Sequence, residues 1–149
     1  MRALYCLIYL ACIGVISFFV GRLMSKHTFN CKKRIFAVSQ SEMRFYANIK
    51  IKHWQNRLPD MSRIVPHLMP AKSMKCDYRN GIATMINETC VAEIIHLALC
   101  ILGFGCVFIA PGVLGAIVSV LYCIGNIPFI MIQRYNRPRL IGLSRAMEV

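Results

Sequence analysis

The sequence predicts an all-α integral membrane protein with about three transmembrane helices. Lys, Arg, Asp and Glu are absent from Ala3 to Gly21 and again from Ile94 to Gln133. A helix rises about 1.5 Å per residue, so roughly 20 apolar residues cross a bilayer core. The second run is about twice that length and contains Ala110-Pro111-Gly112, a sequence that favours a turn. These observations predict one N-terminal anchor and a C-terminal helical hairpin.

We expect a single membrane domain over the whole chain. The first span could instead be a cleaved signal peptide. Because Phe18-Phe19-Val20 lengthens the apolar run and no clear small-x-small cleavage site follows, a retained anchor is the preferred interpretation. The predicted spans are about 3–24, 87–109 and 113–132, with a basic segment over 25–86 and a tail over 133–149.

The formal net charge is +12, and most of the Lys and Arg residues fall between Lys26 and Arg79 or in the tail. Lys and Arg near span ends stay on the cytoplasmic side. We therefore expect a multi-pass protein of the cell membrane whose C-terminus is cytoplasmic, with the hairpin turn and the N-terminus outside. The basic side would lie against the anionic head groups of the lipid bilayer. No basic–aromatic motif supports nucleic acid as a partner.

The basic segment contains one stretch with a mixed pattern. Phe36 to Ile51 mixes apolar and basic residues, which favours an amphipathic cytoplasmic helix on the membrane face. Trp54 suits the interface and Pro59 should end any helix there, while Met61 to Gly81 is interpreted as loop or short helices.

The eight Cys residues form no CxxC or Cys-His zinc pattern. Six of them fall in or near the spans, where they act as small apolar residues. Cys31 and Cys76 lie in the inferred cytoplasmic loop, so no disulfide is expected there.

Ionisable groups inside a membrane are costly and are usually functional. At about 100° per residue, Thr89, Glu93 and His96 share one helix face. A carboxylate near an imidazole can hold one tautomer, which is the arrangement that a general base requires. His96 and Asn126 lie equally far from Pro111 in sequence, so an antiparallel hairpin places them at the same depth.

The same count places Glu88 level with Arg134. Here a structural alternative stays open: Glu93 with Arg134 or Arg137 could be only an ion pair between helices. Glu93-x-x-His96 also matches half of a di-iron helix-bundle site, but a second such motif is absent from the sequence. We expect neither a metal nor another cofactor.

Three segments resemble one known family. His53–Asp60 is similar to its W-K-x-x-L-P-D segment and Glu88–His96 to its E-T-x-x-A-E-x-x-H motif, while Asn126–Leu140 matches its long N-x-P-x-x-x-x-Q-R-Y-N-R-P-R-L signature. The family is that of the glycosyl-4,4'-diaponeurosporenoate acyltransferases of carotenoid (staphyloxanthin) biosynthesis. The chain departs from the pattern at Leu97, where the family pattern leads us to expect Trp.

The resemblance implies a membrane acyltransferase that moves a fatty acyl group, plausibly from acyl-CoA, to a sugar hydroxyl of a membrane glycolipid. His96 would be the general base, oriented by Glu93, with Asn126 stabilising the developing oxyanion. Arg134, Arg137 and Arg139 would bind the phosphates of the acyl-CoA donor. The remaining residues expected at the substrate site are Glu88, Gln133, Tyr135, Asn136 and Trp54.

Two alternatives remain open at this stage. One is another lipid-modifying enzyme on the same scaffold, for example one that acts on a polyprenyl glycolipid. The other is a non-catalytic basic membrane protein that binds anionic lipid or a partner protein, in which the Glu-His-Asn set only packs the helices.

Overall fold

The computed structural model describes residues 1–24, 31, 33–58 and 78–147, with side chains described from residue 81 onward in the last range. Within these ranges the chain is helical, without strands, and three stretches are long and apolar enough to cross a membrane. This confirms the predicted fold class. The α-helices are α1 (Arg2–Leu23), α2 (Gln40–Asn48), α3 (Ile51–Trp54), α4 (Tyr78–Gly103), α5 (Cys106–Ile109) and α6 (Val113–Ala146), with 3₁₀ turns at Arg34–Phe36 and Gln55–Arg57.

Helix α1 runs antiparallel to α4 and packs against it. The Tyr9 hydroxyl donates a hydrogen bond to the carbonyl of Leu102 at 2.8 Å, and a Cβ added at Gly21 would collide with Ile95. Most of the remaining α1 surface is apolar and exposed, as expected for a helix whose solvent is lipid. The N-terminus and the hairpin turn therefore lie at the same end of the bundle.

The hairpin turns where the sequence predicted. Helix α5 ends at Ile109 and α6 begins at Val113, and Gly112 between them has φ +98°, which glycine adopts without strain. A Cβ at Gly115 would collide with the carbonyls of Ala110 and Cys106, so the small residue allows the chain to fold back closely. A second interruption, between α4 and α5, was not predicted.

The ends of the hairpin helices differ from the sequence-based expectations. Helix α4 begins at Tyr78 rather than near residue 87, and α6 continues through Pro128 and Pro138 to Ala146. A proline inside a helix costs about 3 kcal/mol. Here the contacts of Arg134 and Arg137, described below, hold the part of α6 that lies between Pro128 and Pro138 and help to offset this cost.

The predicted amphipathic helix is divided into shorter pieces. After the 3₁₀ turn at Arg34–Phe36, Ser39 caps α2 by accepting a hydrogen bond from the Glu42 amide at 3.2 Å. Lys50 then adopts a left-handed conformation with φ 54° and separates α2 from α3. Phe36, Tyr46 and Ile51 are the buried residues of this segment. Pro59 and most of the predicted loop from Met61 lie outside the described residues.

One expectation about the cysteines is wrong. Cys31 forms a disulfide with Cys90 of α4, with a Cα–Cα distance of 6.3 Å. The segment after Cys31 lies along α4 and α6 because its backbone carbonyls bind arginines of α6, and this brings the two cysteines together. Cys76 lies outside the described residues.

Candidate active site

The central contact of the hairpin joins His96 on α4 to Asn126 on α6. The His96 Nδ1 and Asn126 Oδ1 atoms are 2.9 Å apart, so the predicted proximity of these two residues is confirmed. The same register is seen about two helical turns closer to the hairpin turn. There the Ser119 hydroxyl donates a hydrogen bond to the Gly103 carbonyl at 3.0 Å. Both pairs are equidistant from Pro111 in sequence, as an antiparallel hairpin requires.

The bonds of Asn126 determine which nitrogen of His96 carries the proton. Asn126 Nδ2 donates to the backbone carbonyl of Tyr122 at 2.9 Å, so its Oδ1 faces His96 as an acceptor. His96 Nδ1 must therefore donate, and a neutral imidazole then presents an unprotonated Nε2. The ring also stacks on Phe129, with centroids 4.8 Å apart and planes 11° from parallel. The arrangement gives a ring held on one face and at one nitrogen, with the other nitrogen available as a base.

Glu93 does not orient His96 as the sequence led us to expect. Its carboxylate is buried, with 3% of its surface exposed, and its two oxygens accept from two arginines of α6. Arg134 Nη1 lies 2.6 Å from Oε1, and Arg137 Nη2 bonds to Oε2. A buried carboxylate needs such partners because burial without them is costly. The geometry supports the alternative of an ion pair between helices.

Arg137 is the most buried member of this cluster, with 1% of its surface exposed. Its Nε donates to the Thr89 hydroxyl at 2.9 Å, and its Nη1 donates to the Phe36 carbonyl, also at 2.9 Å. Its Nη2 donates to the Thr89 carbonyl in addition to Glu93. Four of the five N–H groups of Arg137 already donate to protein acceptors, and its side chain is almost fully buried. Arg137 is therefore better placed to join the helices than to bind a donor phosphate.

Arg134 extends the cluster to α2 through a residue that sequence reasoning missed. Its Nε and Nη2 donate to the two carboxylate oxygens of Glu42 at 2.5 and 3.0 Å, and its Nη2 also donates to the Ala37 carbonyl at 2.9 Å. The hydrogen bond from Arg134 holds the pKa of the Glu42 carboxyl below its ordinary value, although partial burial acts in the opposite direction. The available signal was an acidic residue within a basic segment, three positions after the capping Ser39.

The other predicted substrate residues lie around this cluster rather than in it. Arg139 is exposed and its guanidinium lies 5.2 Å from the centre of the Tyr135 ring. The indole of Trp54 donates to the Ile49 carbonyl at 2.9 Å, closing the turn between α2 and α3. Glu88, Gln133 and Asn136 are half-buried. In the described part of the chain, no three His, Cys, Asp or Glu side chains are placed to hold a metal ion.

These features define the class of protein. Three apolar helices are long enough to cross a membrane, and two of them hold a histidine and a charged cluster between them. Residues 26–146 match the model of the family described as glycosyl-4,4'-diaponeurosporenoate acyltransferase. The chain belongs to this family.

Curated relatives are similar over part of their length. A glycosyl-4,4'-diaponeurosporenoate acyltransferase from Staphylococcus aureus (strain MRSA252) is 30% identical over 102 residues, which cover 66% of this chain. The protein of the same name from strain USA300 is 29% identical, also over 102 residues. The chain spans 59% of the length of each of these relatives. No solved structure matches this chain.

Proposed function

We propose that the protein is a membrane acyltransferase that transfers a fatty acyl group to a hydroxyl of a glycosylated, carotenoid-like lipid. The observation that carries this proposal is the His96–Asn126 contact, which leaves one imidazole nitrogen unprotonated between apolar helices. Family membership and the printed name of the relatives support the reaction class and the acceptor. The exposed apolar surface of the helices suits a substrate that arrives from the bilayer.

His96 acts as the general base in this proposal. Its Nε2 takes the proton of the acceptor hydroxyl while that oxygen attacks the carbonyl carbon of the acyl donor. A new C–O ester bond forms, the bond from the carbonyl carbon to the thioester sulfur breaks, and the proton passes from His96 to the departing thiolate. The donor is an acyl-CoA, which supplies the activated thioester without a further co-reactant.

In this scheme Asn126 is a positioning residue and does not stabilise the oxyanion, which was the role expected from the sequence. Its amide is 7% exposed and already bonds to both His96 and the Tyr122 carbonyl. Fixing the tautomer keeps the basic nitrogen in place before the substrate arrives, which reduces reorganisation during the reaction. Glu93, Arg134 and Arg137 hold α2, α4 and α6 together around it.

The test uses the purified full chain in phosphatidylcholine nanodiscs with radiolabelled palmitoyl-CoA and a glycosylated carotenoid. We expect a labelled ester product from the native protein and none above background from His96→Ala. His53→Ala, which removes an exposed histidine of α3, serves as the matched control and should keep its activity. Equal product from the native protein and His96→Ala, or no new acyl lipid in cells that express the protein, would reject the proposal.

We also propose that the chain is a multi-pass protein of the cell membrane with its C-terminus in the cytoplasm. The asymmetry of Lys and Arg supports this orientation. The N-terminus and the hairpin turn lie at the same end of the bundle, as this orientation requires. Single cysteines placed at residue 111 and residue 145 of a cysteine-free variant should react with an impermeant maleimide from outside intact cells only at residue 111. Labelling from outside only at residue 145 would show that the topology is the opposite of the one proposed.

A further inference from the structure

An open cavity of about 340 Å³ is lined in part by Arg137. Its walls are the segment from Cys31 to Val38, which precedes α2, and one face of the last turns of α6. The residues that line it are Cys31, Lys33, Phe36, Ala37, Val38, Arg137, Pro138, Ile141, Gly142 and Arg145. Those of α6 after Arg137 recur at spacings of three and four, which places them on one side of the helix.

The rim of the cavity is positively charged. Lys33 and Arg145 are exposed. Among the residues that the structure describes, no acidic residue lines the cavity and neither cation has an ion pair. Arg137 differs from them, since its charge is offset by its ion pair with Glu93. Two exposed cations at one opening favour a ligand that carries phosphate.

The walls of the same cavity are largely apolar. Phe36, Val38, Pro138 and Ile141 contribute side chains without polar groups, and the volume lies within the range of about 300–1,000 Å³ that is typical of small-molecule sites. The fitting ligand is therefore an amphiphile with a phosphate-bearing end and a less polar body. A free inorganic phosphate would leave the apolar walls without a partner.

We propose that this cavity binds the phosphate-bearing nucleotide end of the acyl-CoA donor, with Lys33 and Arg145 contacting its phosphates. The inference rests on the proposed function and assigns the donor contacts to residues other than Arg134 and Arg137. Helix α6 rises about 18 Å between Asn126 and Pro138 at 1.5 Å per residue. Because a long flexible arm separates the phosphates of an acyl-CoA from its thioester, the acyl carbon can reach His96 while the phosphates stay at the cavity.

The experiment measures binding of unacylated coenzyme A to the full chain in phosphatidylcholine nanodiscs by isothermal titration calorimetry. The double variant Lys33→Ala/Arg145→Ala should bind at least about tenfold more weakly, because charge-assisted hydrogen bonds to phosphate are lost. The matched control Arg44→Ala/Lys52→Ala removes one Arg and one Lys from exposed positions of α2 and α3 and should bind normally.

A second variant blocks the cavity without removing charge. A Cβ added at Gly142 meets no atom within 4 Å, so Gly142→Leu can place its side chain in the opening, and leucine favours a helix more than glycine does. This variant should fold like the native protein and bind coenzyme A several-fold more weakly. Native affinity in both Lys33→Ala/Arg145→Ala and Gly142→Leu would overturn the inference.

Nanodiscs that contain phosphatidylglycerol distinguish the two possible sources of phosphate. If Lys33→Ala/Arg145→Ala loses only its preference for the anionic lipid and keeps its affinity for coenzyme A, the cavity is a lipid head-group site and the inference fails. Acyl transfer that depends on His96 but not on Lys33 or Arg145 would leave the proposed function standing without the donor site. If Lys33→Ala/Arg145→Ala weakens coenzyme A binding but the native protein acylates no hydroxyl, the cavity stands as a coenzyme A site and the proposed function fails.

Discussion

The two polar regions of the hairpin differ in how completely their bonds are satisfied. The Glu93–Arg134–Arg137 cluster joins four parts of the chain, and its carboxylate and guanidinium groups already have protein partners. At the His96–Asn126 pair, within the described residues, one hydrogen bond and one ring stack hold the histidine. The charged cluster therefore resembles a structural clamp, whereas the weaker pair leaves the second imidazole nitrogen without a hydrogen bond in the part of the chain that the structure describes.

Both regions arise from the same sequence signal, polar residues within apolar helices. The difference shows that charge alone does not identify the reactive group. Ionised groups between helices have to be neutralised by partners, and the partners occupy them. A neutral imidazole can be buried at lower cost, so one of its nitrogens can remain uncommitted. Four predictions test this division between clamp and reactive pair.

The largest expected effect is on the rate of catalysis by His96→Ala. General-base catalysis contributes about 10²–10⁴-fold, so specific activity should fall by at least about a hundredfold. The thermal midpoint of the variant in detergent should fall only modestly, because one hydrogen bond and one ring stack are lost. Specific activity per folded molecule is the measurement. A variant that unfolds but is fully active per folded molecule would place His96 in the clamp instead.

Arg137→Ala should produce the largest loss of stability. It removes bonds to Glu93, Thr89 and the Phe36 carbonyl and leaves a buried carboxylate with one arginine fewer. Breaking a buried ion pair in this way typically costs about 3–5 kcal/mol. Unfolding of the variant in detergent should show this loss, whereas Arg139→Ala, at an exposed position, should change stability little. Native stability combined with weaker binding of coenzyme A would instead favour a direct role of Arg137 at the donor.

Asn126 should have a smaller effect, through the orientation of His96. Asn126→Leu removes the acceptor for His96 Nδ1 at similar volume, and we expect a loss of about tenfold in kcat, a fraction of the contribution of about 10²–10⁴ made by the base. Asn126→Asp keeps an oxygen acceptor while losing the bond to Tyr122, so it should retain more activity than Asn126→Leu. Equal activity of the two variants would show that the residue only fills space.

The smallest effect concerns the outer edge of the clamp. Because Arg134 lowers the pKa of Glu42 in the folded protein, this pair should stabilise the fold above the ordinary carboxyl pKa of about 4.3. The contribution should then disappear as the pH falls through the lowered pKa. The difference in thermal midpoint between the native protein and Glu42→Gln should be constant near neutral pH and shrink below pH of about 4. A difference that grows on acidification would mean that Arg134 does not set the charge of Glu42.

Part of the fold and part of the site could be predicted because the signals are local. Two uncharged runs and the Pro111-Gly112 turn were sufficient for three helices and their pairing, and equal distance from the turn was sufficient for the His96–Asn126 contact. Glu42 and the Cys31–Cys90 disulfide were missed because they involve a segment that meets the hairpin only in the folded chain. The periodicity of the sequence does not indicate where that segment contacts the hairpin.

The sequence by itself determined the apolar helices, the antiparallel order of the hairpin and the shared level of His96 and Asn126 along it, because hydrophobic length and helical rise are properties of the chain alone. Only the tertiary structure decided which polar residues neutralise one another. Glu93 shares a helix face with His96, yet its oxygens bind Arg134 and Arg137. The long arginine side chains reach across to the carboxylate, and an ionic partner stabilises a buried charge more than a neutral imidazole does. His96 therefore bonds to Asn126 through Nδ1, and its Nε2 is the nitrogen that takes the proton in the proposed reaction.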